Sequence, residues 1–225
     1  APGDGCVYVF EKSIPMRPTF ETKEIIDIGT LKSGYGYALA GPIIVAPDSG
    51  ILYVGVKALT IKNVKGFKIS KFGSIIKYVD GTFFLTRKKK NEQCVTVYTH
   101  TALNDHISYI TTLTNPTVNK NEESLYGSGI AVSTSIIGKN IVDTLLGIEA
   151  SNNDVRTIDK IAISDPQANE VYIYSNKYEL LQTINTGEYM VNKEDVNQKV
   201  AISNNVLVMS SPENGLIIVY MYNDD

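Results

Sequence analysis

From residue 161 the chain alternates apolar with small or polar positions, turns through a polar step containing proline, and alternates again: "IAISDP-QAN-EVYIY", ending at 174. A period of two is the signature of a half-buried strand, so the segment predicts two strands joined by a tight turn. The same phrasing returns at 206–222 as "VLVMSSP-ENG-LIIVYMY". Earlier versions are "AP-GDG-CVYVF" at 1–10, "IIVAP-DSG-ILYVGV" at 43–56 and "FFLTR-KKKNEQ-CVTVY" at 83–98. Four of the five place a proline where the first strand stops donating to its ladder, which is where a strand tolerates one. Helical periodicity is nearly absent, so the chain is expected to be all-β.

A second phrase precedes most of these hairpins. An aromatic-Gly pair leads into a further strand at "YGYALA" (35–40), "FGSIIKYV" (72–79) and "YGSGIAVS" (126–133). A fifth copy, "VNQKVAIS" at 196–203, keeps the strand without the pair. Another amphipathic stretch follows the Tyr-rich strand, as in "KEIIDIG" (23–29) and "YELLQTIN" (178–185). "KYV-DG-TFF" (77–84) and "AIS-NN-VLV" (201–208) carry the two-residue connections that suit type I′ hairpins. One unit is therefore four short strands. The proline steps recur after 45 residues (Pro2 to Pro47) and 46 residues (Pro166 to Pro212). Four-strand units at roughly 40–50-residue spacing are what a β-propeller blade requires. Neighbouring blades cover both faces of each sheet, so apolar residues can stand on both sides of a strand.

The aromatic-Gly, the Val-Ala strand, the Ala-Pro-like step and the Gly-x-Val-Tyr-Val-Phe strand together resemble the FG-GAP repeat of integrin α-subunit propellers and of many bacterial and viral surface proteins. About five degenerate copies cover most of residues 1–225. The resemblance implies one β-propeller domain of four-stranded antiparallel blades, or part of a larger propeller, with the chain starting mid-blade. It also implies that turns between second and third strands emerge on one ligand-receiving face. That face would carry Asp4, Asp48, Lys88, Lys89, Lys90, Gln167, Asn169, Glu213 and Asn214. Many such repeats hold calcium in a carboxylate-rich loop between the first two strands. Only "SNNDVRTIDKIAISDP" (151–166) approaches that loop. With Asp159 as last ligand, Asn153 falls on the middle position and Asp154 helps only after a one-residue shift. The glycine is missing, and the bland reading is a polar loop with no cofactor.

Composition narrows the function. The chain is 43% hydrophobic and 20% charged, with a formal charge of −3, as expected of an ordinary globular domain. That near-neutral balance recruits neither nucleic acid nor anionic membrane. The longest apolar run, "LIIVYMY", is far short of the ~20 residues that span a bilayer. Cys6 and Cys94 open equivalent strands in different units, too far apart for a disulfide, so two free thiols are expected. His100 and His106 are the only histidines. With Cys94 they do not make a zinc spacing, and they are read as lying on or near a surface loop. "RKKKNEQ" (87–93) reads as a lengthened, solvated hairpin tip, or more sharply as a basic contact for an acidic partner. The segment 134–158 reads as an inserted hairpin on the side opposite the tips.

The expectation is a non-catalytic recognition or assembly module on a cell surface or virus particle. Its partners would be other proteins, capsid or surface proteins among them. One alternative is a propeller-scaffold hydrolase, which needs carboxylates or histidines converging on one face. Another is a carbohydrate-binding propeller, which needs exposed loop aromatics, yet Trp is absent.

Overall fold

The structure is a computed structural model that describes residues 6–12, 20–27, 38–40, 43–46, 51–54, 57–60, 72–89, 92–101, 106–117, 124–137, 155–187, 199–203 and 205–221. Within these residues the fold is all-β, and every strand pairing is antiparallel.

The strands follow one another as meanders. β1 (Cys6–Lys12) and β2 (Phe20–Asp27) form a two-stranded sheet. β3 (Ala38–Ala40), β4 (Ile43–Ala46), β5 (Ile51–Val54) and β6 (Lys57–Thr60) form the first four-stranded sheet. β7 (Phe72–Val79), β8 (Thr82–Lys89), β9 (Glu92–Thr101) and β10 (His106–Thr114) form the second. β11 (Gly129–Ile137), β12 (Val155–Asp165), β13 (Glu170–Ser175) and β14 (Leu180–Asn185) form the third. The last sheet has three strands, β15 (Lys199–Ser203), β16 (Val206–Ser211) and β17 (Leu216–Met221), with a 3-10 turn over Pro212–Asn214. The four-strand unit expected from the repeat is thus present in all three middle sheets.

Turn chemistry explains where the strands reverse. Between β7 and β8, Asp80 (φ 46°) and Gly81 (φ 75°) both occupy the left-handed region, which makes the expected type I′ turn. Ser203 pairs with Val206, so the β15–β16 connection has the expected two residues.

Sheets stack face to face through alternating side chains. Phe84, Val95, Val97 and Leu113 of the β7–β10 sheet pack on Ile130, Ile161, Ile163, Tyr172 and Tyr174 of the β11–β14 sheet, together with Tyr126 ahead of β11. The intervening positions of the β11–β14 sheet, Ala131, Ala162, Val171, Ile173 and Ile184, pack on Ile202, Leu207 and Met209 of the last sheet. One sheet is thereby buried on both faces, which removes the need for a polar side. The first strands adjoin in series: β3 lies beside β7, β7 beside β11, and β11 beside β15.

Several expectations need correction. The lysine run does not form a long loop. The β8–β9 ladder continues until Lys89 faces Glu92 and Lys88 faces Gln93, leaving only residues 90–91 between the strands. His100 is not on a surface loop. It lies in β9 at 8% exposure, its amide donating to Gly81 O at 2.6 Å. In the segment 134–158, read as an inserted hairpin, residues 134–137 and 155–158 pair with one another as the ends of β11 and β12, with Ile137 facing Val155; residues 138–154 lie outside the described residues.

Candidate functional site

The turns joining second to third strands are the candidate contact points, and the β12–β13 turn is the most fully described. Asp165 ends β12 immediately before Pro166, a sequence that favours an Asx turn. Its carboxylate is 1% exposed and serves five donors. Oδ1 accepts from the amides of Leu125 (3.1 Å), Gln167 (3.2 Å) and Ala168 (3.4 Å). Oδ2 accepts from Ser124 Oγ (3.0 Å) and Asn115 Nδ2. Asp165 therefore ties the hairpin tip to the connection between β10 and β11. Burial raises its carboxyl above the usual aspartate value, outweighing the hydrogen bonds from Ser124 and the three amides.

A second layer of contacts completes the cradle. Asn115 Oδ1 accepts from the Thr117 amide at 3.0 Å. The single Tyr172 hydroxyl proton is divided between Glu170 Oε2 and, at 3.0 Å, Asn115 Oδ1, while Thr117 Oγ1 lies 2.6 Å from the same oxygen and can donate to it. Burial and the hydrogen bond to Glu170 push the Tyr172 phenol up, so it stays a neutral donor. Tyr126 and Tyr174 share a hydroxyl proton at 2.7 Å, and burial raises both. These groups brace the site.

The turn is closed at its other end too. Asn169 adopts φ 55°, its amide donates to Pro166 O (3.1 Å), and its carbonyl accepts from the Thr186 amide (2.7 Å). Gln167 and Ala168 project into solvent. The β16–β17 tip is built alike: Asn214 Nδ2 donates to Ser211 Oγ at 2.7 Å, and Gly215 closes the 3-10 turn at φ 63°.

The expected contact residues distribute unevenly. Gln167 and Asn169 stand on the β12–β13 turn, and Glu213 and Asn214 on the β16–β17 turn. Lys88 and Lys89 belong to strand β8, while Asp4, Asp48 and Lys90 lie outside the described residues. Of the calcium-loop candidates, Asn153 and Asp154 also lie outside them. Asp159 is inside β12, at a bulge where Ser133 faces Lys160 and Thr134 faces Ile158. At ~3.3 Å per residue it stands roughly 13 Å along the strand from Val155, so the described part of the segment, from Val155 to Asp159, is strand rather than a compact loop. Ser133 Oγ accepts from the Lys160 amide at 3.1 Å, pinning the bulge. Among the described residues no three His, Cys, Asp or Glu side chains gather as a metal site. Cys94 is a buried thiol in no disulfide, and the Cys6 side chain lies outside the description.

Sequence reasoning missed Asp165, Asn115, Ser124 and Tyr172. The Asp-Pro and Asn-Pro steps were the available signals, since both mark side chains that hydrogen-bond the following backbone. No protein-family model matches the chain, and no curated protein is found that is similar to it.

Proposed function

We propose that the chain is a β-propeller, or an arc of one, acting as a non-catalytic recognition or assembly module. Its second-to-third-strand tips contact another protein on a cell surface or virus particle. The stacked four-stranded meanders, with first strands adjoining in series, support a radial arrangement of blades. The observation that carries the contact reading is the Asp165 cradle. A buried carboxylate with five donors fixes the backbone of a turn whose outermost residues, Gln167 and Ala168, are left to solvent. A pre-fixed tip loses little entropy on binding, which suits recognition by contact.

The test is cross-linking capture from cell-surface and virion preparations, with the unaltered chain beside two tip variants. One variant is Gln167→Glu with Ala168→Arg; the other replaces Lys88, Lys89 and Lys90 with Glu. The expected outcome is a protein held by the unaltered chain and released by at least one variant at low salt. Turnover of a glycan, or equal capture by all three chains, would overturn the reading.

A further inference from the structure

The β12–β13 and β16–β17 tips are built to one plan. Pro166-Gln167-Ala168-Asn169 follows Asp165, and Pro212-Glu213-Asn214-Gly215 follows Ser211. In each, the amide of the fourth residue donates to the proline carbonyl, from Asn169 at 3.1 Å and from Gly215 at 3.2 Å. That fourth residue is left-handed in both, at φ 55° for Asn169 and φ 63° for Gly215. Glycine and asparagine are the residues that adopt this conformation most readily. The first tip fills the position with asparagine itself. The second fills it with glycine and sets an asparagine before it, where the first has Ala168.

The turn thereby creates the one Asn-Gly pair of the chain. The amide carbon of an asparagine side chain is an electrophile that the backbone nitrogen of the next residue can reach, closing a five-membered ring. A side chain on that next residue crowds the approach, and a ladder bond ties its amide down. Gly215 has no side chain, and nothing stands within 4 Å of where its Cβ would be. Its amide is held to Pro212 O by a bond at the long end of the normal range. Asn214 Nδ2, the nitrogen that would leave, lies 2.7 Å from Ser211 Oγ, a hydroxyl that can relay a proton to it. Other asparagines are protected. Asn169 is followed by Glu170, which pairs with Asp165 on one side and Asn185 on the other. Asn115 is followed by Pro116, whose nitrogen has no proton to lose.

We propose that Asn214 is a modification site, at which the folded chain converts asparagine to aspartate and isoaspartate without an enzyme. Gly215 N gives its proton to hydroxide or water and bonds to Asn214 Cγ. The Cγ–Nδ2 bond breaks, and Nδ2 takes up a proton and leaves as ammonia. Water then opens the cyclic imide at either carbonyl; nothing is oxidised or reduced. One opening leaves aspartate on the normal backbone. The other leaves isoaspartate, whose main chain runs through the side-chain methylene and lengthens the turn that Gly215 closes. Either product sets a new carboxylate on the β16–β17 tip. The conversion belongs to the turn itself and does not depend on the tip having a partner.

Peptide mapping by mass spectrometry provides the test, on the full chain held for several weeks at neutral and at mildly alkaline pH. The mass change of amide-to-acid exchange is expected at residue 214 ahead of Asn169, Asn176 and Asn185. It should come faster at the higher pH, because the attacking nitrogen must lose its proton, and electron-transfer fragmentation should identify isoaspartate. Gly215→Ala keeps Asn214 but crowds the nitrogen, and conversion should slow at least about tenfold, equivalent to ~1.4 kcal/mol in the barrier. An unchanged far-UV circular dichroism spectrum checks that this variant keeps its fold. Asn214→Gln, which needs a larger ring, should keep its amide at residue 214. An amide that persists at Asn214 of the folded chain, or a conversion indifferent to pH and to Gly215→Ala, would overturn the proposal.

Discussion

Gly127 answers to two constraints at once. Its φ of +88° lies where a side chain is strained, and a Cβ there would stand 2.9 Å from Val95 Cγ2 and 3.0 Å from Thr86 Cγ2. The glycine lets the β11–β14 sheet approach its neighbour while its amide donates to Ser164 O at 2.9 Å. Tyr126 beside it fills the seam, its ring 5.5 Å from that of Tyr172. Gly127→Ala is expected to destabilise the fold by about 2–4 kcal/mol, combining left-handed strain with overpacking. Urea denaturation measures this, and a loss below about 0.5 kcal/mol would show that the neighbouring side chains simply move aside. The recurrence of the aromatic-Gly pair was visible in the sequence. Its cause was not, because Thr86 and Val95 lie some forty and thirty residues earlier, in a different sheet.

The β12–β13 hairpin shows the same division at the level of an element. Its strands were legible because alternation has one interpretation over five or six residues. Its anchoring was hidden, since Asn115, Ser124 and Leu125 reach Asp165 from 40 to 50 residues away. The β8–β9 hairpin erred in the other direction: a run of lysines looked like a loop, whereas cross-strand register turned most of it into ladder. Asp165 also gives this element a pH response. Burial makes the folded chain hold its proton more tightly than the unfolded chain, whose value is near 3.8. The stability contributed by this carboxyl is therefore greatest below that pH and declines as pH rises through the higher folded-state value. In urea melts across a pH series, the advantage of the unaltered chain over Asp165→Asn should shrink over that interval and then level off. An advantage that grows with pH would reverse the assignment.

For the whole molecule, repetition was the most legible property, because each unit must solve the same burial problem with the same alternation. What alternation could not reveal was which side of a sheet faces which neighbour. That required the two apolar layers on either side of the β11–β14 sheet. The layering predicts a gradient of local stability. In dilute monomer, amides of β12 and β13 should exchange at least about tenfold more slowly than those of β17, which has an open edge and an open face. Equal rates would mean that the sheets unfold as one unit. The layering carries a further implication for how such a chain can lengthen. The β11–β14 sheet receives a neighbour on each face, so a tandem duplication of a unit built this way would insert a module with an apolar face for either flank. Copy number is then free to drift under mutation while the interior chemistry stays constant, and selection is left to act on the turns.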